Sequence, residues 1–324
     1  MPRYKEVFPG RDYERDMVGY AGSTPDRDNC WPNRARIAVT FVINYEEGGE
    51  NCILNGDDRS EHLLCDIVGA TPIMGRRNLN IESMYEYGSR AGFWRLLRIF
   101  EKHNLPATAY AVGMALERNP TAAKALADSP LIEVASHGYR WLEYEAIPEE
   151  VEREHIRLAV SSTEATCGKR PLGLYQGKPS VNTRRLVVEE GGFLYDCDAY
   201  CDDLPFWTYW KELTEVGEEK EGPLKPHLVI PYGLDTNDMR MFTLEGAIFE
   251  YIKEAFDLLY EEGETAPKML NIGLHGRGAG RPGRAALLDK FLAYIKSKED
   301  VWVCTREQIA RHWHEKHPAP YASA

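Results

Sequence analysis

The chain has 324 residues, 43% of them hydrophobic and 28% charged, with 39 Lys and Arg against 51 Asp and Glu for a formal net charge of −12. That charge excludes a nucleic-acid partner, whose phosphates demand a basic face, and an anionic membrane surface. The first 30 residues carry no apolar run, and the seven cysteines match neither a zinc ribbon nor a disulfide scaffold; the expectation is a cytoplasmic protein with reduced thiols, no secretory signal and no membrane span.

Residues 1–34 read as an irregular arm rich in Pro, Gly and charge, and residues 35–324 as one domain. Arg36 to Tyr45 is a β-branched apolar run, a buried strand. Ser89 to His103 reads as an amphipathic helix with Trp94, Leu97 and Phe100 on one stripe. A strand at Pro106–Val112, a helix at Pro120–Asp128 with Pro at its start and a strand at Leu131–Ser136 follow. Next come a helix at Glu149–Thr166, a strand at Pro171–Tyr175, a helix at Asn182–Glu190 stopped by Gly191 and Gly192, and a strand at Phe193–Asp198. Residues 199–226 form a long aromatic and charged excursion. Leu228–Leu234 is a strand, Glu245–Glu261 a helix, Met269–Leu274 a strand, Ala285–Lys296 a helix, Val301–Cys304 a strand and Arg306–His314 a final helix. Seven or eight strand–helix units in one chain predict an α/β fold closed into a distorted (β/α)7–8 barrel.

Working residues of such barrels sit where strands end. The first strand runs out into Asn44, Tyr45, Glu46 and Glu47. Side chains two apart share a strand face, so Asn44 and Glu46 are expected to point together and Glu47 away. A Glu-Glu pair in a loop is ordinarily a solvated charge; its place at a strand end is what makes this one a candidate. His137 and His275 each follow an apolar strand and precede a glycine, in Ser136-His137-Gly138 and Leu274-His275-Gly276-Arg277. One such histidine is readily structural, whereas two at equivalent positions suggest proton-transfer or ligand chemistry. Asp196, Asp198, Asp202 and Asp203 cluster around another strand end, with Asp196 and Asp203 read as loop caps. Tyr175-Gln176 and Pro231-Tyr-Gly-Leu-Asp235-Thr-Asn237-Asp238 end two further strands with groups suited to hydrogen-bonding a polar, uncharged molecule.

Taken together, the long strings at these strand ends resemble the polysaccharide deacetylase (NodB homology) superfamily, and most of all its cofactor-independent allantoinase branch. The resemblance rests on Arg15-Asp-Met-Val-Gly-Tyr20, Asn44-Tyr-Glu-Glu-Gly-Gly-Glu50, Tyr85-Glu-Tyr-Gly-Ser-Arg-Ala-Gly92, Ser136-His-Gly-Tyr-Arg-Trp141, Asn182-Thr-Arg-Arg185, Asp202-Asp-Leu-Pro205, the string from Pro231 to Arg240, and Gly273-Leu-His275. Metal-dependent members hold zinc with an Asp and a His-x-x-x-His pair, and use a second Asp as base. Carried over, the metal carboxylate falls on Glu46, the base on Asn44, the first histidine on His137 and the second on Trp141. The resemblance therefore implies no cofactor; a weakly bound divalent ion such as zinc would have Glu46 and His137.

The implied activity is hydrolysis of a non-peptide C–N bond, the opening of the hydantoin ring of allantoin to allantoate, in purine catabolism. Its catalytic residues would be Glu46 or Glu47 as base, with His137 and His275 as donors or proton shuttles. The substrate, a small polar amide or ureide, would be bound by Asn44, Trp141, Tyr175, Gln176, Asp202, Asp235 and Asn237. The family also implies a homo-oligomer. Two other readings stand beside this one: an N-deacetylase of chitin, peptidoglycan or a soluble amino-sugar oligomer, and a catalytically silent binding protein. The Trp141 position and the missing secretion signal speak against the former, and the density of polar residues at strand ends against the latter.

Overall fold

The nine residues of the first long strand are buried without exception, and this dictates the architecture: a strand covered on both faces belongs to a parallel sheet enclosed by helices. The computed structural model describes residues 2–11, 13–19, 25–242 and 248–322. Its strands are β1 (Arg3–Val7), β2 (Ile37–Tyr45), β3 (Ala107–Ala111), β4 (Ile132–Ser136), β5 (Gly173–Leu174), β6 (Tyr195–Asp196), β7 (Phe206–Leu213), β8 (Lys225–Val229), β9 (Lys268–His275) and β10 (Val301–Val303). Seven of them run parallel in the order β9-β2-β3-β4-β5-β6-β8. Short β10 shares an edge of β2 with β3, pairing with the start of β2 while β3 pairs with its end.

The ring closes unevenly. Among the described residues, β8 and β9 are joined by no ladder; the segment that follows β8 meets β9 through a single parallel bridge, Asn237 to Gly273. The other edge of β8 carries antiparallel β7, which in turn carries β1. The result is the distorted α/β barrel that the repeating units imply, with an antiparallel extension at its seam.

Alternation along β2 sorts the two cores. Ile37, Val39, Phe41, Ile43 and Tyr45 face outward, into a layer with Phe93, Leu96 and Phe100, Ile252 and Phe256, and Leu288 and Phe291 from three surrounding helices. Ala38 and Val42 face inward among Tyr110, Tyr175, Tyr195 and Tyr232, and the helix Arg306–Lys316 plugs this interior with Ile309, Ala310 and Trp313. Arg306 is fully buried there, donating to the carbonyls of Ile230 and Pro231 and to the Tyr110 hydroxyl. Polar residues thus climb the barrel axis toward the strand ends.

Several elements differ from the sequence expectation. The arm 1–34 is not wholly irregular, because it contains β1, and the excursion 199–226 contains β7. Both pair with partners distant in sequence, and β1 is a charged edge strand of the kind that blunts further pairing. The predicted helix at Ser89 begins earlier, at Leu79, and runs to His103 through a widened turn at Gly88–Gly92. A short helix at Gly113–Arg118 was not expected. The predicted start at Glu245 lies outside the described residues; the helix is described over Ile248–Glu262.

That widened turn has a packing reason. A β-carbon on Gly92 would overlap the Gly276 carbonyl, and one on Gly88 would overlap the Glu47 carboxylate. The two glycines let helix backbone touch the loop after β9 directly, a single wide turn of the type found at functional sites. Gly92→Ala is accordingly expected to lower stability by about 1–3 kcal/mol or more, as overpacking does. Gly283→Ala, where an added β-carbon meets nothing within 4 Å, should leave the melting temperature almost unchanged. Equal melting temperatures for the two variants would contradict this packing.

Candidate active site

β9 and β2 end side by side, with β4 one strand further round beyond β3, and the residues at or just beyond the ends of these three converge. Glu46 is the centre of the cluster. Its Oε1 lies 3.1 Å from His137 Nε2 and 3.3 Å from His275 Nε2, and its Oε2 accepts from Arg277 Nη2 at 2.6 Å. All four residues are at most 2% exposed. Each imidazole is held from behind. His137 Nδ1 donates to the Tyr175 carbonyl at 2.6 Å while its ring stacks on that of Tyr175, so Nε2 is the nitrogen turned toward Glu46. His275 Nδ1 donates to Asp238 Oδ1 at 2.5 Å; Asp238 also accepts the backbone N–H of His275 and of Ala279.

Electrostatics follow from this packing. Burial would raise the Glu46 carboxyl, but Arg277, His275 and His137 outweigh it and hold the group well below the usual carboxylate range. Burial likewise opposes charge on His275, yet Asp238 and Glu46 lift it to about 9, so it is an imidazolium at neutral pH. Arg277 Nε donates to the Leu64 carbonyl, Nη1 lies 3.3 Å from Glu47 Oε1, and the guanidinium lies 4.0 Å from the Tyr85 ring centroid and 5.6 Å from that of Trp141.

Glu47 does not point away from Glu46 as strand alternation predicts. β2 ends at Tyr45, the backbone turns, and Glu47 folds back to accept the Glu46 N–H and to meet Arg277. Burial, opposed by Arg277 and reinforced by Glu46, raises its carboxyl. Neither Arg277 nor Asp238 was singled out from sequence. The one available signal was that both lie beside candidates, Asp238 next to Asn237 and Arg277 two residues past His275.

The structure places the predicted substrate-binding residues in two groups. Asn44 and Asn237 both donate to the Tyr232 hydroxyl at 3.1 Å, and Asn44 also to the Leu274 carbonyl beside His275. Gln176 is buried, and both atoms of its side-chain amide are without a hydrogen-bond partner. It lies against Gly138, and Gly177 brings the same loop against His137. Asp202 and Asp235 instead line a separate cavity of about 790 Å³ at the β8–β9 seam, where Asp202 accepts the Leu204 N–H and exposed Asp235 the Tyr251 hydroxyl. Asp196, read as a loop cap, does accept the Asp198 N–H, and it is also buried in an ion pair with Arg184 and in contact with His227 Nε2.

A divalent ion does not fit this donor set. Trp141 offers no lone pair, one Glu46 oxygen is taken by a guanidinium and the other faces two imidazoles. Among the described residues no group of three or more His, Cys, Asp or Glu is arranged to hold a metal ion. Nor is any described helix long and apolar enough to cross a membrane.

Comparison with known proteins agrees with this architecture. The family model described as polysaccharide deacetylase matches residues 78–186. A Schizosaccharomyces pombe protein named "Putative polysaccharide deacetylase" is 44% identical over 319 residues, covering 94% of this chain and 98% of its own. Two crystal structures, one of a "probable Polysaccharide deacetylase" from Pseudomonas aeruginosa PAO1 and one of "Puue Allantoinase", each show 51% identity and a TM-score of 0.87 over 95% of this chain and 100% of theirs. The chain thus belongs to the polysaccharide deacetylase family and is a hydrolase of carbon–nitrogen bonds.

Proposed function

We propose that this hydrolase opens the hydantoin ring of allantoin, releasing allantoate, without a metal. The observation that carries the reading is the guanidinium of Arg277 seated on Glu46, the carboxylate that the family resemblance puts at the metal-ligand position, in a chain 51% identical over nearly its whole length to a protein named allantoinase. The unpaired amide of Gln176 supports it too, because a donor and an acceptor on one planar group match the alternating N–H and C=O edge of a hydantoin or ureide.

In the proposed reaction a water oxygen attacks the ring amide carbon, the C–N bond breaks, and a proton passes from the water to the departing nitrogen. Glu46, held ionised, orients the water; the His137 imidazole, whose Nδ1 proton is taken by the Tyr175 carbonyl, accepts the water's proton at Nε2, where Glu46 Oε1 lies 3.1 Å away to pair with the resulting cation. The His275 imidazolium stabilises the developing oxyanion and supplies a proton to the leaving nitrogen. General acid–base groups contribute roughly 10²–10⁴-fold each, and a preorganised charge at a dry site acts without reorganisation.

Purified protein is expected to consume allantoin and form allantoate, detected as glyoxylate after acid hydrolysis. Glu46→Gln should lose roughly 10²–10⁴-fold in kcat/KM with an unchanged circular dichroism spectrum. Deacetylation of an N-acetylglucosamine oligomer with no allantoin turnover would instead establish the deacetylase reading.

A pH profile tests His275 separately. Its folded pKa is raised, so the charged form is complete well below about 9 and is lost as pH rises through that value; kcat/KM should fall over the same range. Asp238→Asn removes the larger of the two charges that raise it, and should move this alkaline limb to lower pH. A limb that stays in place would rule out His275 as the group responsible.

A further inference from the structure

We propose that Arg277 is the resident cation of the site, and that its removal converts Glu46, His137 and His275 into a binding site for a divalent metal. Three features of the geometry lead here. The first is the ligand set itself. Two imidazole Nε2 atoms face one carboxylate oxygen at 3.1 and 3.3 Å, and both Nδ1 atoms are held from behind by a carbonyl and a carboxylate. Two histidines and one carboxylate, each with its outer partner, are the constituents of a divalent transition-metal site.

The second is where the guanidinium sits. It lies on the remaining Glu46 oxygen at 2.6 Å and reaches Glu47 at 3.3 Å, so it supplies the positive charge that these two buried carboxylates require. Asp238 is buried here as well, and Arg277 is the guanidinium that pairs with both Glu46 and Glu47. Removing one partner of such a group leaves uncompensated buried charge, which a small divalent ion would neutralise.

The third is how it is kept in place. Tyr85 and Trp141 flank the guanidinium and Leu64 accepts from its Nε, an arrangement suited to a planar, delocalised cation and not to a compact one. Tyr85 makes the closer contact of the two; the Trp141 ring also carries the Lys178 ammonium at 3.4 Å.

The experiment is titration of Arg277→Ala with zinc chloride by calorimetry, beside the wild-type protein and the Glu46→Gln/Arg277→Ala double variant. The proposal predicts one zinc per chain for the single variant, a zinc-dependent rise in its melting temperature, and neither response in the other two. Zinc binding by wild type as tight as by the variant, or none by the variant, would overturn it. Should Arg277→Ala fail to fold alone, it is refolded with zinc chloride and, separately, with guanidinium chloride at tens of millimolar; recovery with zinc supports the proposal, and no recovery with zinc overturns it whatever guanidinium does.

A second arm rests on the allantoin reading. Loss of Arg277 should lower kcat/KM about 10²–10³-fold, as removal of a preorganised electrostatic group does, and dilute guanidinium should restore at least about tenfold of it. Arg277→Ala turnover within about threefold of wild type would overturn the proposal, since loss of a preorganised charge at a buried site costs far more than that. Zinc binding as predicted, with no allantoin turnover by wild type, would sink the substrate reading and leave the cation proposal standing.

Discussion

The contact between Arg277 and Glu46 is what the rest of the site is arranged around. Charges taken out of water are stable only when paired and hydrogen-bonded on every side, and here Glu46, Glu47 and Asp238 are all buried. Arg277 lies two residues beyond β9, and reaching the carboxylates after β2 requires the loop 276–280 to press against helix backbone at Gly88 and Gly92. Those glycines, the wide helical turn between them and the close loop are therefore one device. The barrel sets the positions of β2, β4 and β9; this device delivers the counter-charge.

The barrel also explains why the histidines are so different in role although they occupy equivalent strand ends. His137 is backed by a neutral carbonyl and stacked on Tyr175, while His275 is backed by Asp238 and raised to about 9. One ring is left to accept a proton at Nε2 and the other is kept charged. Glu46, pinned ionised between them, is better suited to orienting a water than to removing its proton. The division of labour arises from what stands behind each ring, one layer further from the reacting atoms.

Much of this was readable from the sequence for definable reasons. The β-branched apolar run Arg36–Tyr45 marked a buried strand, and His-Gly after an apolar strand marked His137 and His275. The distorted barrel followed from repeating strand–helix units. What escaped has equally physical causes. Glu47 was misplaced because alternation ceases where the strand ends, at Tyr45. Arg277 meets carboxylates 230 and 231 residues earlier in the chain, and no local pattern distinguishes a buried Arg from a solvated one. Asp202 and Asp235, credited to the substrate, line the seam cavity, because strand-end position does not say on which side of a ring a loop folds. The β1–β7 pairing joins two segments that are each charged and aromatic enough to pass for loop.

The central claim is that a guanidinium, and not a metal ion, supplies the fixed positive charge of a hydrolytic site in this family. The most direct measurement is allantoin turnover by wild-type protein dialysed against a chelator, with metal content determined on the same sample. The account predicts an undiminished rate at a metal content far below one ion per chain. A rate that falls in proportion to the metal removed, and returns when zinc is added back, would contradict it.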